Sequence, residues 1–215
     1  MIKAVIFDFD GVIVESVDIK TKAFANLFRP EGKDVAGKVV AYHVRHGGTS
    51  RFEKFKYIYR KILKRRLTPA TFSILCNRFS ALVTDAVVEA PFVKGAEEFL
   101  NKNLNKYRFF VASATPQNEI DVIVRRRRMG RYFKKVFGSP MTKTDIVKTI
   151  LSRERLLPSE VVFVGDALSD YRAARATKVH FIARIEGEGK MFRRVRCIKI
   201  KDLRGLTRAI RVFKI

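Results

Sequence analysis

The sequence predicts an α/β protein in which a doubly wound parallel sheet is interrupted early by an all-helical insertion. Three observations predict it. Residues 2 to 7 form a short apolar run, Ile-Lys-Ala-Val-Ile-Phe, of the kind found in a central parallel strand covered on both faces. From Pro91 onward, short β-rich runs alternate with helical patterns, as in successive βαβ units. Between them, residues 15 to 89 carry helical periodicity with no strong strand signal, so that block reads as an insertion. The expected division is a core of 1–14 and 90–215 with a helical cap of 15–89.

The elements follow in order. Helices are expected at 17–29, 51–66 and 69–88, where apolar residues fall three and four apart, as Phe52, Phe55, Tyr59, Ile62 and Leu63 do. Helix 95–104 and strand 107–112 come next, then helix 117–129 and a short strand around Val136 and Phe137. Helix 143–152, strand 161–164, helix 168–177 and strand 179–184 continue the alternation. A strand at 196–200 and a helix at 202–210 close it.

Composition narrows the class. With 215 residues, 47% hydrophobic and 18 of them Phe, the chain can bury a substantial core and is not a disordered segment. No apolar stretch is expected to reach the roughly 18 to 20 residues of a membrane span. The first apolar run ends at once in acids, unlike a secretory signal. Cys76 and Cys197 lie far apart in apolar contexts, which suggests buried free thiols and a cytoplasmic location. Nothing specifies an oligomeric state.

The charge is unusual, with 45 basic against 21 acidic residues giving +24. Its densest groups are Arg60, Lys61, Lys64, Arg65 and Arg66, then Arg125 to Arg128 with Arg131, Lys134 and Lys135, then the tail from Lys190 to Lys214. Such a field suits nucleic acid or another polyanion, and equally suits solvated helix faces.

Polar groups gather at the carboxyl ends of the expected strands, where ligands bind in open α/β sheets. The first strand runs into Asp8 and Asp10, and Gly11 lets the chain turn there. Strand 107–112 delivers Ser113, after which Thr115 and Pro116 open the next helix. Lys143 stands near the start of helix 143–152. Strand 161–164 ends in Gly165, with Asp166 and Asp170 one helical turn apart. Acids, a hydroxyl and one lysine at one sheet edge make a site for a metal and a phosphoryl group.

Phosphoryl transfer depends on positioning and charge neutralisation, and each residue has a place in it. Mg2+ prefers hard oxygen ligands, which Asp8, the Asp10 carbonyl and Asp166 could supply, with Asp170 completing or orienting the shell. Asp8 would attack phosphorus to give an aspartyl phosphate. Asp10 would protonate the leaving oxygen and then take a proton from water. Ser113 and Lys143 would hold the non-bridging oxygens.

The ordered set IFDFDGVIVES, VASATP, the SPMTK lysine and VGDALSD resembles the four signature motifs of the haloacid dehalogenase superfamily. The likeness spans essentially the whole chain and is nearest the branch holding phosphoglycolate phosphatase and β-phosphoglucomutase. It implies a Rossmann-like core with a helical cap after the first motif. In that superfamily the residue matching Asp10 separates phosphotransferases from dehalogenases, which lack it. Glu15 departs from the aspartate common among relatives. The stretch GGTSR resembles a substrate-specificity loop, which makes Arg51 the candidate for a substrate anion, with Lys54 one turn along the same helix and Gly47 and Gly48 giving the approach.

His43 and His46 read as polar cap residues near the substrate, since no third metal ligand accompanies them. Tyr57 and Tyr59 read as cap packing. The expected activity is a magnesium-dependent phosphatase acting on a small phosphorylated substrate. The alternatives are a phosphomutase, in which Arg51 grips a second phosphate, and a polyanion-binding protein or polynucleotide phosphatase using the basic surface.

Overall fold

The computed structural model describes residues 1–187 and 190–213; Lys214, at the end of the basic tail, lies outside them. β1 (Ala4–Phe7) is fully buried because both its faces are covered. Val5 and Phe7 belong to one apolar layer and Ala4 and Ile6 to the other, as the two-residue period of a strand requires.

Five more strands join it in parallel: β2 (Arg108–Pro116), β3 (Lys135–Ser139), β4 (Val161–Gly165), β5 (His180–Arg184) and β6 (Ile198–Ile200). Their order is β3-β2-β1-β4-β5-β6. The chain winds outward one way from β1 to β3 and the other way from β4 to β6. The reversal between β1 and β4 opens a crevice at their carboxyl ends.

Helices cover both faces. Ile146, Val147 and Ile150 of α7 (Lys143–Arg153) share a layer with Ala173 and Ala174 of α8 (Leu168–Thr177). On the other face lie α5 (Ala96–Asn103), α6 (Gln117–Arg126) and α9 (Leu206–Arg211).

Residues between β1 and α5 are helical: α1 (Val17–Phe28), α2 (Lys33–Arg45), α3 (Arg51–Tyr57) and α4 (Pro69–Glu89). Their shared interior is aromatic. Phe24 packs on Phe79 at 4.7 Å and on Phe55 at 5.7 Å between ring centroids, and Phe28 joins Phe55 at 6.2 Å. Tyr57 stacks on Tyr42 at 3.9 Å, and Tyr59 packs against the core, both as packing residues. This interior is continuous with the sheet layer that holds Phe7.

Several expectations need correction. Helix α2 is absent from the expected elements, because its periodicity is broken by Gly37 and only Val39 and His43 are buried. The expected helix 51–66 is α3 followed by a π-helical stretch, Ile58–Leu63, that ends on Lys64 in the left-handed region. β2 runs on to Pro116, so Thr115 lies within a strand instead of opening a helix. The end helix is a 3-10 turn, Leu203–Gly205, followed by α9.

Helix α4 is long and apolar enough to cross a membrane by length and composition, contrary to the expectation of no such stretch. In the fold its Leu75, Phe79, Val83 and Val87, spaced by four, form one buried stripe. Cys76 and Cys197 are half-buried free thiols, where full burial was expected. Part of the basic surface is structural: Arg127 is half-buried and donates to the carbonyls of Val87, Val88 and Ala90, satisfying the end of α4. Arg126 pairs with Asp85, and Arg65 with Glu31.

Candidate active site

Asp8 follows β1 directly, and its backbone N–H donates to Val164 of β4, which fixes it at the switch point. Its Oδ1 accepts from Phe9 N–H at 2.7 Å, and its Oδ2 accepts from Lys143 Nζ at 2.6 Å. Lys143 also donates to Asp170, and all three side chains are buried. Asp170 Oδ2 in turn accepts from Ala167 N–H at 3.0 Å, so the first turn of α8 holds the carboxylate that holds the lysine. A cation at the start of α7 is disfavoured by the helix dipole; two carboxylates more than offset it.

Asp166 completes an acidic triad, with one oxygen each from Asp8, Asp166 and Asp170 within 4.8 Å of one another. Gly11 is needed beside it. Its φ is +73°, and a Cβ there would meet Asp166 Oδ2 at 2.3 Å. Among the described residues, no side chain donates to Asp166, and Lys143 alone offsets three carboxylates. The donor set is hard oxygen with excess negative charge, which fits a divalent cation such as Mg2+.

The electrostatics follow from that crowding. Burial raises the Asp8 carboxyl to about 7; Lys143 offsets part of this, and the charges of Asp170 and Asp10 add to it. Asp166 is held well above the ordinary carboxylate range by burial, then by Asp8 and Asp170. Burial would lower the Lys143 ammonium, but Asp170 and Asp8 outweigh it and hold it above the usual lysine range.

Asp10 has a different environment. Burial opposes its ionisation, but the Lys20 ammonium and hydrogen bonds from Lys20, Ser16 and Thr115 outweigh burial and lower it. Ser16 Oγ donates at 2.6 Å and Thr115 Oγ1 at 3.1 Å, while Lys20 Nζ also donates to Thr115 at 2.7 Å. Lys20 comes from α1, and no motif points to it. Its only sequence signal is a basic residue one turn into the helix that follows the first motif. The Asp10 carboxylate therefore faces Lys20 and stands outside the acidic triad.

A divalent cation bound to the triad would compete with protons for Asp8 and Asp166. Both carboxyls are held above the ordinary range, so without metal their stabilising contribution is complete below the unfolded value near 3.8 and is lost as pH rises, for Asp8 through about 7. Millimolar Mg2+ is expected to raise the melting temperature little below about pH 5 and increasingly through pH 7 to 8, relative to chelator. Saturation at 100 times Kd corresponds to about 2.7 kcal/mol. Melting curves that coincide with and without Mg2+ at pH 8 would remove the metal from the site.

Ser113 is buried and its Oγ accepts from Thr115 N–H at 3.1 Å. A cavity opens over Asp8 and Asp10, lined also by Lys20, Phe24, His43, Gly48, Arg51, Lys54, Phe79, Thr115 and Asp166. The helical residues thus roof the sheet edge. Gly48 lies close to α8; with φ +71°, a Cβ there would meet Ser169 Oγ at 2.2 Å.

Both expected cap residues line this cavity. Arg51 is buried and its guanidinium is already engaged: it pairs with Glu119 of α6, donates to Ser80 Oγ at 2.9 Å, and lies 4.4 Å from the Phe79 ring centroid. Ser80 Oγ also donates to Glu119 at 2.6 Å. No sequence signal marks Glu119, since its pairing across 68 positions leaves no local trace. Lys54 Nζ lies 2.9 Å from His43 Nδ1. His46 stays with Tyr42, its Nδ1 2.9 Å from that carbonyl. Glu15 pairs with Arg184 at 2.6 Å.

Known proteins share this architecture. The family model of the haloacid dehalogenase-like hydrolases matches residues 5–184. A phosphorylated carbohydrates phosphatase of Thermotoga maritima is 25% identical over 191 residues, covering 84% of this chain and 83% of that protein. A phosphoglycolate phosphatase of Pseudomonas putida is 23% identical, covering 84% and 68%. Among solved structures, a β-phosphoglucomutase of Clostridium difficile superposes with a TM-score of 0.81 at 18% identity, covering 99% of this chain and 97% of that one. With the sheet order, the strand-end acids and a match over most of its length, the chain belongs to the haloacid dehalogenase-like hydrolase family.

Proposed function

We propose that the protein is a magnesium-dependent phosphatase that hydrolyses a small phosphorylated metabolite through an aspartyl phosphate on Asp8. The observation that carries this reading is the divided environment of the two strand-end acids. Asp8 faces Lys143 and the acidic triad, while Asp10 faces Lys20, Ser16 and Thr115. One is set among phosphate- and metal-binding groups, the other among proton-exchanging ones.

In the first step the Asp8 carboxylate forms a bond to phosphorus as the ester P–O bond breaks, and Asp10 delivers a proton to the leaving alcohol oxygen. Asp10 is ionised in the free site, so the proton is taken up when the phosphate dianion arrives beside it and raises its affinity for protons. In the second step water attacks phosphorus, Asp10 takes its proton, and Asp8 is released with inorganic phosphate. Lys143 and Ser113 hold the non-bridging oxygens. Asp8, Asp166 and the Asp10 carbonyl, with Asp170 orienting the shell, would hold Mg2+, whose charge would help neutralise the phosphoryl group.

Residues 15–89 act as a cap over a core of 1–14 and 90–215, excluding bulk water when closed. The phosphomutase alternative requires Arg51 to grip a second phosphate, and that guanidinium is already paired with Glu119. Hydrolysis is the better reading. Two free cysteines are in keeping with a cytoplasmic location. The test is phosphate release from a panel of small phosphate esters with Mg2+ and with chelator. Metal-dependent release at the rate of substrate loss is expected, and isomerised phosphate ester without release would establish the mutase instead.

A further inference from the structure

A second cavity lies wholly within the helical residues and shares no lining residue with the cavity over Asp8. It is a groove of about 700 Å³ between the π-helical stretch Ile58–Leu63 and the start of α4. Lys56, Arg60, Lys64, Arg65 and Arg66 line it, and among the described residues no acid does. Lys56 has Glu53 and Arg65 has Glu31, each at 2.8 Å and in contact with solvent; among the described residues Arg60, Lys64 and Arg66 have no carboxylate. The next basic group along the chain differs, since Arg126 and Arg127 are engaged with α4.

The backbone gathers these charges on one wall. The π-helical stretch ends on Lys64 at φ +53°, and Arg65 N–H turns back to the Tyr59 carbonyl at 3.0 Å. That reversal sets Lys64, Arg65 and Arg66 beside Arg60, where a continued helix would distribute them around its circumference. Crowded like charges repel, and a polyanion relieves the repulsion. The floor of the groove is apolar. Tyr59, Leu67 and Phe72, each half-buried, form it, and Phe72 is held by Phe52 at 5.7 Å and Phe55 at 6.5 Å between ring centroids.

We propose that this groove binds single-stranded nucleic acid, its cations pairing with successive phosphates and its aromatic floor receiving an unstacked base. The proposal is independent of the reaction at Asp8. The volume falls within the roughly 300–1,000 Å³ of pockets that take ligands of drug size, room for a nucleotide unit. A lone phosphate would leave most of the cations unmatched. A duplex keeps its bases stacked on one another and cannot offer one to the floor. A bilayer does not enter a concave groove, and an acidic peptide brings charge without a flat ring. The net charge of +24 adds a field that draws a polyanion from a distance.

The probe is a fluorescently labelled DNA strand of about 12 nucleotides, within the span that single-strand-binding grooves cover. Anisotropy with the full chain should show saturable binding that weakens roughly twentyfold between about 50 and 200 mM salt, the dependence for three phosphate contacts. An abasic strand with the same phosphates should bind at least about fivefold more weakly, the loss of one stacked base.

The triple variant Arg60→Glu, Lys64→Glu, Arg66→Glu should bind roughly tenfold more weakly than a control of equal charge on exposed positions of the core helices, Lys102→Glu, Lys148→Glu, Arg172→Glu. Arg60→Gln, Lys64→Gln, Arg66→Gln should weaken binding in the same direction, which separates lost contacts from a disturbed fold. Phosphate release should be the same in all of them. Absence of saturable binding, equal losses in the groove and control triples, or an abasic strand that binds as well would overturn the proposal. So would displacement by the same sequence as a duplex, by poly-glutamate or by phosphatidylserine vesicles that matches displacement by the unlabelled strand.

Discussion

Asp8→Asn is expected to lower Mg2+-dependent phosphate release by on the order of 10^4-fold or more, because removing a nucleophile leaves only binding and electrostatic assistance. The substitution is isosteric. The introduced amide keeps an oxygen that can still accept from Lys143, so the strand end and α7 should stay in place. Rapid acid quenching of wild type during turnover should trap a phosphoryl adduct on the peptide containing residue 8, and Asp8→Asn should yield none. Near-normal turnover in this variant, measured with the folded protein confirmed by circular dichroism, would remove Asp8 from the covalent step.

Lys143→Met should produce two separable losses. The first is stability, because Asp8 and Asp170 are buried and lose the ammonium between them. Breaking one side of a buried ion pair costs about 3–5 kcal/mol. Lys143 is held above its ordinary range, so its contribution is fully present at pH 8 and is lost only as pH rises past the unfolded lysine value near 10.4. The stranded Asp8 carboxyl can escape by taking up a proton. The destabilisation seen in urea should therefore be large at pH 8 and smaller at pH 5, and an equal loss at both would contradict the role of the pair.

The second loss is catalytic, about 10^2- to 10^3-fold in kcat, from removing a donor to the phosphoryl oxygens. The acid limb of the pH-rate profile should also move upward, because Asp8 becomes harder to ionise without its partner. Wild-type kcat in a stably folded variant would place Lys143 in a purely structural role.

The part of the site visible in the sequence is the part built locally. A strand, a tight turn and an acid make a contiguous pattern, so Asp8, Asp10, Asp166 and Asp170 are legible along with the edge they share. Lys20 is invisible because its relation to Asp10 depends on how α1 leaves the turn after Ser16. Glu119 is invisible because its partner Arg51 lies 68 residues away. Helix α2 escapes for a weaker reason: it buries little, so its apolar periodicity is faint.

Function-bearing electrostatics come from neither motif nor periodicity. The two acids of the first motif are two residues apart and chemically identical in the unfolded chain. Burial, with the charges of Asp170 and Asp10, raises one to about 7, and Lys20 lowers the other. Their different environments are a property of packing.

The sequence by itself determined the doubly wound core, the helical insertion and the acids at the carboxyl edge, because hydrophobic periodicity and turn chemistry act over a few residues at a time. Only the tertiary structure decided which cations are neutralised. Arg51, singled out by its motif, is held by Glu119, while Lys54 is left with an uncharged histidine. Such pairings arise between elements brought together by folding, and charge balance in a buried cavity is settled by those neighbours.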